Sequence, residues 1–171
     1  MPPGTKESLT PQSPVTKVFE VYIKAPAATI WDAITTPEWT TQYGYRATSE
    51  YDLRAGGAFR CHSTQEMRQL GLPEIIIDGE VIEARPPNKL VQTYRFMFSE
   101  ATKAEGFTRI TWDIENTGRG FCRLTVTHET AGAPLAGSMI AGKFSEQGGG
   151  GWSWILSDLK SLLETGKTLA G

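Results

Sequence analysis

Chemistry has few places to start in this chain. It holds two histidines and two cysteines. Two histidines are too few for a three-histidine zinc site, and neither cysteine sits in a CxxC or Cys/His metal spacing, so no metal motif forms. Cys61 and Cys122 read as free, semi-buried thiols rather than a disulfide, as a reducing compartment favours. Gly137-Ser-Met-Ile-Ala-Gly142-Lys143-Phe144 has the glycine and lysine spacing of a phosphate-binding loop. Phe144 stands where a hydroxyl side chain would hold magnesium, and no strand leads directly into the segment, so nucleotide binding is rejected. His128-Glu129 opens like a zinc-protease motif. The second histidine is missing, however, and the pair lies on a strand, where neighbours face opposite ways. There is no GxSxG nucleophile motif.

His128 is the exception worth following. Alternation places it on an apolar face with Cys122, Leu124 and Val126. The ordinary reading is a histidine at the edge of the core, satisfied by a hydrogen bond. The functional reading is a polar handle in an apolar pocket, the arrangement by which small-molecule sites orient their ligands. Trp39, Tyr43, Tyr94, Trp112, Phe144 and Trp152 are candidates to line the same space, though aromatic side chains also dominate ordinary cores. With a nearby acid, His128 would suit general acid/base work such as enolisation, which needs a group titrating near neutrality.

The elements that must position these residues are legible in the periodicity. Residues 1–14 hold Pro2, Pro3, Pro11 and Pro14 among polar residues and read as a mobile arm. From Val15 the chain reads as one domain to residue 171. Phe19, Val21 and Ile23 mark a first strand. Pro26 opens a short helix with Ile30 and Ile34 on one face. Thr36-Pro37-Glu38 starts another, with Thr36 as cap, and predicts a helix to about Tyr43. Strands follow near 46–51, 58–66, 75–85, 89–98, 108–116 and 121–129. Gly79 is either a tight turn after Asp78 or an irregularity inside one long strand. Trp152, Ile155, Leu156, Leu159, Leu162 and Leu163 write an amphipathic C-terminal helix that Gly166 ends. The glycines at 148–151 either precede its first stable turn or let the chain pass close to something.

Composition narrows the class. The 171 residues carry 17 basic and 19 acidic side chains, for a net charge of −2. No Lys/Arg stripe appears, which argues against nucleic acid or a polybasic membrane anchor as partner. No apolar run reaches the roughly 20 residues of a membrane helix, and no apolar signal segment follows the first residues. The expectation is a soluble, cytoplasmic protein that needs no cofactor and no metal.

Six segments stand in order: Ile23-Lys-Ala-Pro-Ala-Ala-Thr-Ile30-Trp31 running into Thr36-Pro37-Glu38, Asp52-Leu-Arg-Ala-Gly56-Gly57-Ala-Phe59, and Gly79-Glu-Val81 with Pro86-Pro-Asn-Lys-Leu-Val91. Thr111-Trp-Asp-Ile-Glu115, Leu124-Thr-Val-Thr-His128 and Gly151-Trp152 with Leu156 through Gly166 complete them. Together they resemble the family of activator-of-heat-shock-ATPase homologues, within the START-like (SRPBCC) superfamily. The resemblance spans about residues 16–167 and implies an α+β helix-grip fold. In such a fold a curved antiparallel sheet wraps around a long C-terminal helix, with two short helices after the first strand and a cavity between sheet and helix. It also implies that Gly79 lies within a strand. It reaches none of the co-chaperone's larger N-terminal half, so activation of a heat-shock ATPase is not among its implications. Ser99–Phe107 and the glycine run depart from the family pattern.

These readings converge on a protein that binds an apolar or aromatic small molecule, with Trp39, Tyr43, Tyr94, Trp112, His128, Phe144 and Trp152 as its ligand contacts. A cyclase- or dehydratase-like enzyme of a polyketide pathway is the alternative from another class. A self-resistance protein that sequesters a reactive natural product is a third, and a protein-interaction module with a collapsed, side-chain-filled cavity is a fourth. His128 is the only polar pocket group the sequence offers, and that scarcity favours binding over catalysis.

Overall fold

The computed structural model describes residues 15–142 and 149–171. The proposed arm, residues 1–14, and Phe144 lie outside the described residues. The chain runs β1 (Thr16–Ile23), α1 (Ala27–Thr35), α2 (Pro37–Thr40), β2 (Thr48–Tyr51), β3 (Ala58–His62), α3 (Gln65–Gln69) and β4 (Ile75–Arg85). It continues through β5 (Lys89–Phe96), α4 (Glu100–Ala104), β6 (Thr108–Asn116), β7 (Cys122–Glu129), α5 (Pro134–Ala141) and α6 (Gly151–Thr165).

The strands form one antiparallel, curved sheet in the order β1-β7-β6-β5-β4-β3-β2. Each strand pairs with its sequence neighbour except the first, which crosses to the far edge and lies against the last. The helix-grip reading holds. Its basis is the alternation: Ile110, Trp112 and Ile114 on β6 face inward with Cys122, Leu124, Val126 and His128 on β7. A period of two sends every second side chain to the same face, and that face must be covered. Trp152, Leu156 and Leu159 of α6 are buried on the inner side, and Gly166 ends the helix in a left-handed conformation with its N–H on the Leu162 carbonyl.

Gly79 lies inside β4, as the family resemblance implied, and not in a turn. A Cβ there would stand 2.0 Å from the Thr93 carbonyl oxygen, so the backbone of β5 passes too close for any side chain. The register shift in β4 comes later, between Val81 and Glu83. Gly151 marks a second close approach: its Cβ would fall 2.2 Å from the Ile140 carbonyl oxygen, at a φ of +63°. The glycine before Trp152 therefore brings the end of α5 against the start of α6.

Several boundaries shift. The second helix stops at Thr40, not Tyr43, and the Thr36 hydroxyl donates back to the Asp32 carbonyl instead of capping α2. The predicted strand 58–66 ends at His62, because Thr64 accepts the Met67 N–H and opens α3. Ser99 and Thr102 cap each other around α4. These two helices have five residues each, too short for a helical period to show in sequence. Gly137, in the loop-like segment already rejected for phosphate, lies within α5.

Candidate functional site

A cavity of about 830 Å³ opens between the concave face of the sheet and the α5–α6 layer. Its wall is largely aromatic. Tyr51 stacks on Phe59 at 4.5 Å between ring centroids, Phe59 on Tyr94 at 5.8 Å, and Phe96 meets Tyr94 edge-on at 5.3 Å. Trp112 and Trp152 meet at 5.1 Å with planes nearly perpendicular. Offset-stacked and edge-to-face contacts of this kind hold rings in fixed places.

Of the residues singled out in the sequence, Tyr43, Tyr94, Trp112 and Trp152 are brought together on this wall. Trp39 is not among them: it lies half-buried on α2, against the core. His128 is not on the wall either, which corrects its reading as the cavity's polar contact. It is fully buried behind Tyr94 and Trp152.

The hydrogen bonds around His128 explain what it does there. The Trp152 Nε1–H lies 3.1 Å from His128 Nδ1. An indole nitrogen can only donate, so Nδ1 must be the unprotonated nitrogen. Nε2 then carries the proton and donates to Thr108 Oγ1 at 2.7 Å, while the Thr108 hydroxyl donates to the Tyr94 carbonyl at 2.7 Å. Both ring nitrogens of His128 and the proton of the Thr108 hydroxyl are used. Burial, reinforced by the Lys17 ammonium from the neighbouring strand, pulls the histidine down to about 4. A neutral imidazole with both nitrogens engaged has no proton to exchange with a ligand near neutral pH. His128 fixes the orientation of the Trp152 ring.

A second polar junction was not foreseen. Gln92, fully buried on β5, accepts the Tyr51 hydroxyl at 2.8 Å and the Trp112 Nε1–H at 3.0 Å on the same amide oxygen. Its Nε2 is left with no partner among the described residues. Its signal in sequence was a lone amide between Leu90 and Tyr94 on an inward-facing strand. Tyr43 donates to the Ala33 carbonyl at 2.8 Å. Burial raises the Tyr43, Tyr51 and Tyr94 hydroxyls well above the ordinary phenol range, so all three stay protonated. The Cys61 thiol on the wall is pushed up to about 11 by burial, and both cysteines are free. A thiol so shifted is a poor nucleophile at neutral pH.

Among the described residues, no group of three or more metal-ligating side chains forms. No helix among them is long and apolar enough to cross a membrane. Residues 24–164 match the family model described as Activator of Hsp90 ATPase homolog 1-like protein. The solution structure of CalU16 from Micromonospora echinospora is similar, with a TM-score of 0.61 at 17% identity over 91% of this chain and 69% of that one. In the crystal structure of CalU16 the match covers 68% of this chain and 61% of that chain, with a TM-score of 0.51 at 18% identity. DynU16, of the dynemicin biosynthetic locus, gives 0.57 at 19% identity over 90% of this chain and 48% of its own. An HSP90 activator from Plasmodium falciparum gives 0.53 at 19% identity over 91% of both chains. At these identities the likeness concerns the fold. No curated protein matches the sequence.

Proposed function

The chain belongs to the Activator of Hsp90 ATPase homolog 1-like family, and from that premise we propose that it binds an apolar, ring-containing small molecule between its sheet and α6. The observation that carries this reading is the cavity of about 830 Å³ with its ordered aromatic wall. Small-molecule sites are concave, mostly apolar and of roughly 300–1,000 Å³. Tyr43, Tyr94, Trp112 and Trp152 are the proposed aromatic contacts, and His128 acts through Trp152 by holding its ring. Apolar contact supplies most of the affinity, at about 25 cal/mol per Å² buried.

The test is direct. Native mass spectrometry of freshly purified protein is expected to show a co-purifying small molecule. A neutral aromatic probe such as phenylnaphthylamine is expected to bind at micromolar concentration and quench tryptophan fluorescence. If no apolar probe binds, the reading is lost.

A natural product as the ligand, carried or sequestered, is the second reading. The likeness to a protein of the dynemicin locus supports it only at the level of fold. A cyclase-like activity is the weaker alternative, because His128, its proposed acid/base group, has no free nitrogen.

A further inference from the structure

The charges on the described part of the cavity wall have one sign. Among the described lining residues, Lys17 and Arg46 are the ionised side chains, and no Asp or Glu joins them. Lys17 lies half-buried on β1, next to His128 in register on β7. Its Nζ donates to the Gly137 carbonyl of α5 at 2.8 Å. An ammonium has three donors, and the other two find no protein acceptor among the described residues. Neither Lys17 nor Arg46 is in an ion pair with a described carboxylate. Buried Asp158 on α6 is committed elsewhere, with one oxygen on the Gly44 N–H and the other on the Leu169 N–H. Arg46 stands exposed at the rim, held at a φ of 59° that few side chains adopt.

A half-buried cation with no counter-ion loses solvation without recovering it from a partner. Beside rings that keep water away, it attracts an anion more strongly than the same ammonium in solution would. The ring system alone asks for a neutral hydrocarbon. The two cations ask for something more.

We propose that the cavity's ligand is an anionic amphiphile: an apolar, ring-containing body bearing one acid group, which Lys17 receives directly and Arg46 draws in from the rim. This rests on the proposed small-molecule binding and deepens it by naming the ligand's charge.

A matched pair of probes separates the two ideas. Anilinonaphthalene sulfonate and phenylnaphthylamine share an arylamine body and differ by a sulfonate. Titration by fluorescence is expected to show the sulfonate binding about tenfold more tightly at low salt, an advantage that shrinks as salt rises. Lys17→Gln keeps a donor for the Gly137 carbonyl and removes the charge, so it is expected to weaken the sulfonate until the two probes bind within about twofold of each other. Arg46→Asn, at a left-handed position that Asn tolerates, is expected to take away a smaller part of the preference.

Equal binding of both probes to the wild type overturns the anionic ligand and leaves the apolar cavity standing. Failure of both to bind overturns both. If Lys17→Gln does not fold, the salt titration of the wild type decides: a sulfonate preference that does not change with salt overturns the role of the cations.

Discussion

The two halves of the sheet carry the same alternating pattern and meet different fates. On the β5–β6–β7 half, Leu90, Ile110, Leu124 and Val126 have no exposed surface, and α1 and α6 cover the inner side. On the β2–β3–β4 half, Tyr51, Phe59, Cys61 and Ile77 face the same way and line open space. A period of two decides which face is apolar. Whether that face becomes core or cavity depends on what lies across from it. The boundary between the two runs through β5 and β6, which also lend Tyr94, Phe96 and Trp112 to the wall: His128 on β7 has both nitrogens partnered, while Gln92 on β5 keeps a donor with no partner among the described residues.

That contrast can be broken by substitution, beginning in the packed half. Leu159 is 1% exposed. Leu159→Ala is expected to cost about 2–5 kcal/mol in urea unfolding, because well-packed surroundings cannot close around the void. A loss below half that range would place Leu159 in loose packing and erase the distinction between the halves.

The next effect is one of pH. His128 is lowered in the folded state to about 4, while an unfolded histidine titrates near 6.5. Between those values the unfolded chain binds the extra proton, so stability rises with pH. The neutral histidine's contribution is complete above about pH 6.5 and is lost as pH falls through about 4; over that window it amounts to roughly 3 kcal/mol. Urea midpoints from pH 7 to 4 are expected to fall accordingly. In His128→Phe the slope between pH 6.5 and 5 is expected to flatten, and an unchanged slope there would show that other groups carry it.

Smaller effects are expected at the wall. Ile155, half-buried on α6, lines the cavity. Ile155→Ala is expected to cost only about 1–1.5 kcal/mol, because its surroundings are already open on one side. Thermal denaturation alongside Leu159→Ala checks this, and equal losses would mean the cavity is packed like the core. The smallest is Tyr51→Phe, which removes one hydrogen bond to Gln92 while the Trp112 donor remains. It is expected to cost about 0.5–1.5 kcal/mol and to leave the fold intact by near-ultraviolet circular dichroism.

Much of the fold could be read from residues alone. Ile110 to Ile114 and Cys122 to His128 declare their inward faces by alternation, and Trp152 to Leu163 declare a helix by three-to-four spacing. Such periodic signals repeat over two or more turns or pleats, so one misplaced residue does not erase them. The α3 and α4 helices left no such trace, because five residues complete little more than one turn and are held by their Thr64 and Ser99 caps. At the site, the pattern could name Trp112 and Trp152 as inward-facing; Gln92 left only a lone amide on an apolar face, and Tyr51 and Lys17 left no signal.

The sequence by itself thus determined the order of the seven strands, the two short helices after the first and the C-terminal helix, and the apolar face on which His128 lies, whereas α3, α4 and α5 came only with the tertiary structure. Only the tertiary structure decided that His128 points its two nitrogens at Trp152 and Thr108, that Gln92 joins Tyr51 to Trp112, and that Lys17 reaches the wall. The reason is geometric. Periodicity is a property of one segment and fixes the side from which a residue leaves the backbone. A hydrogen bond needs two atoms from distant segments placed within about 3 Å, and that placement depends on sheet curvature and helix position that no single segment encodes.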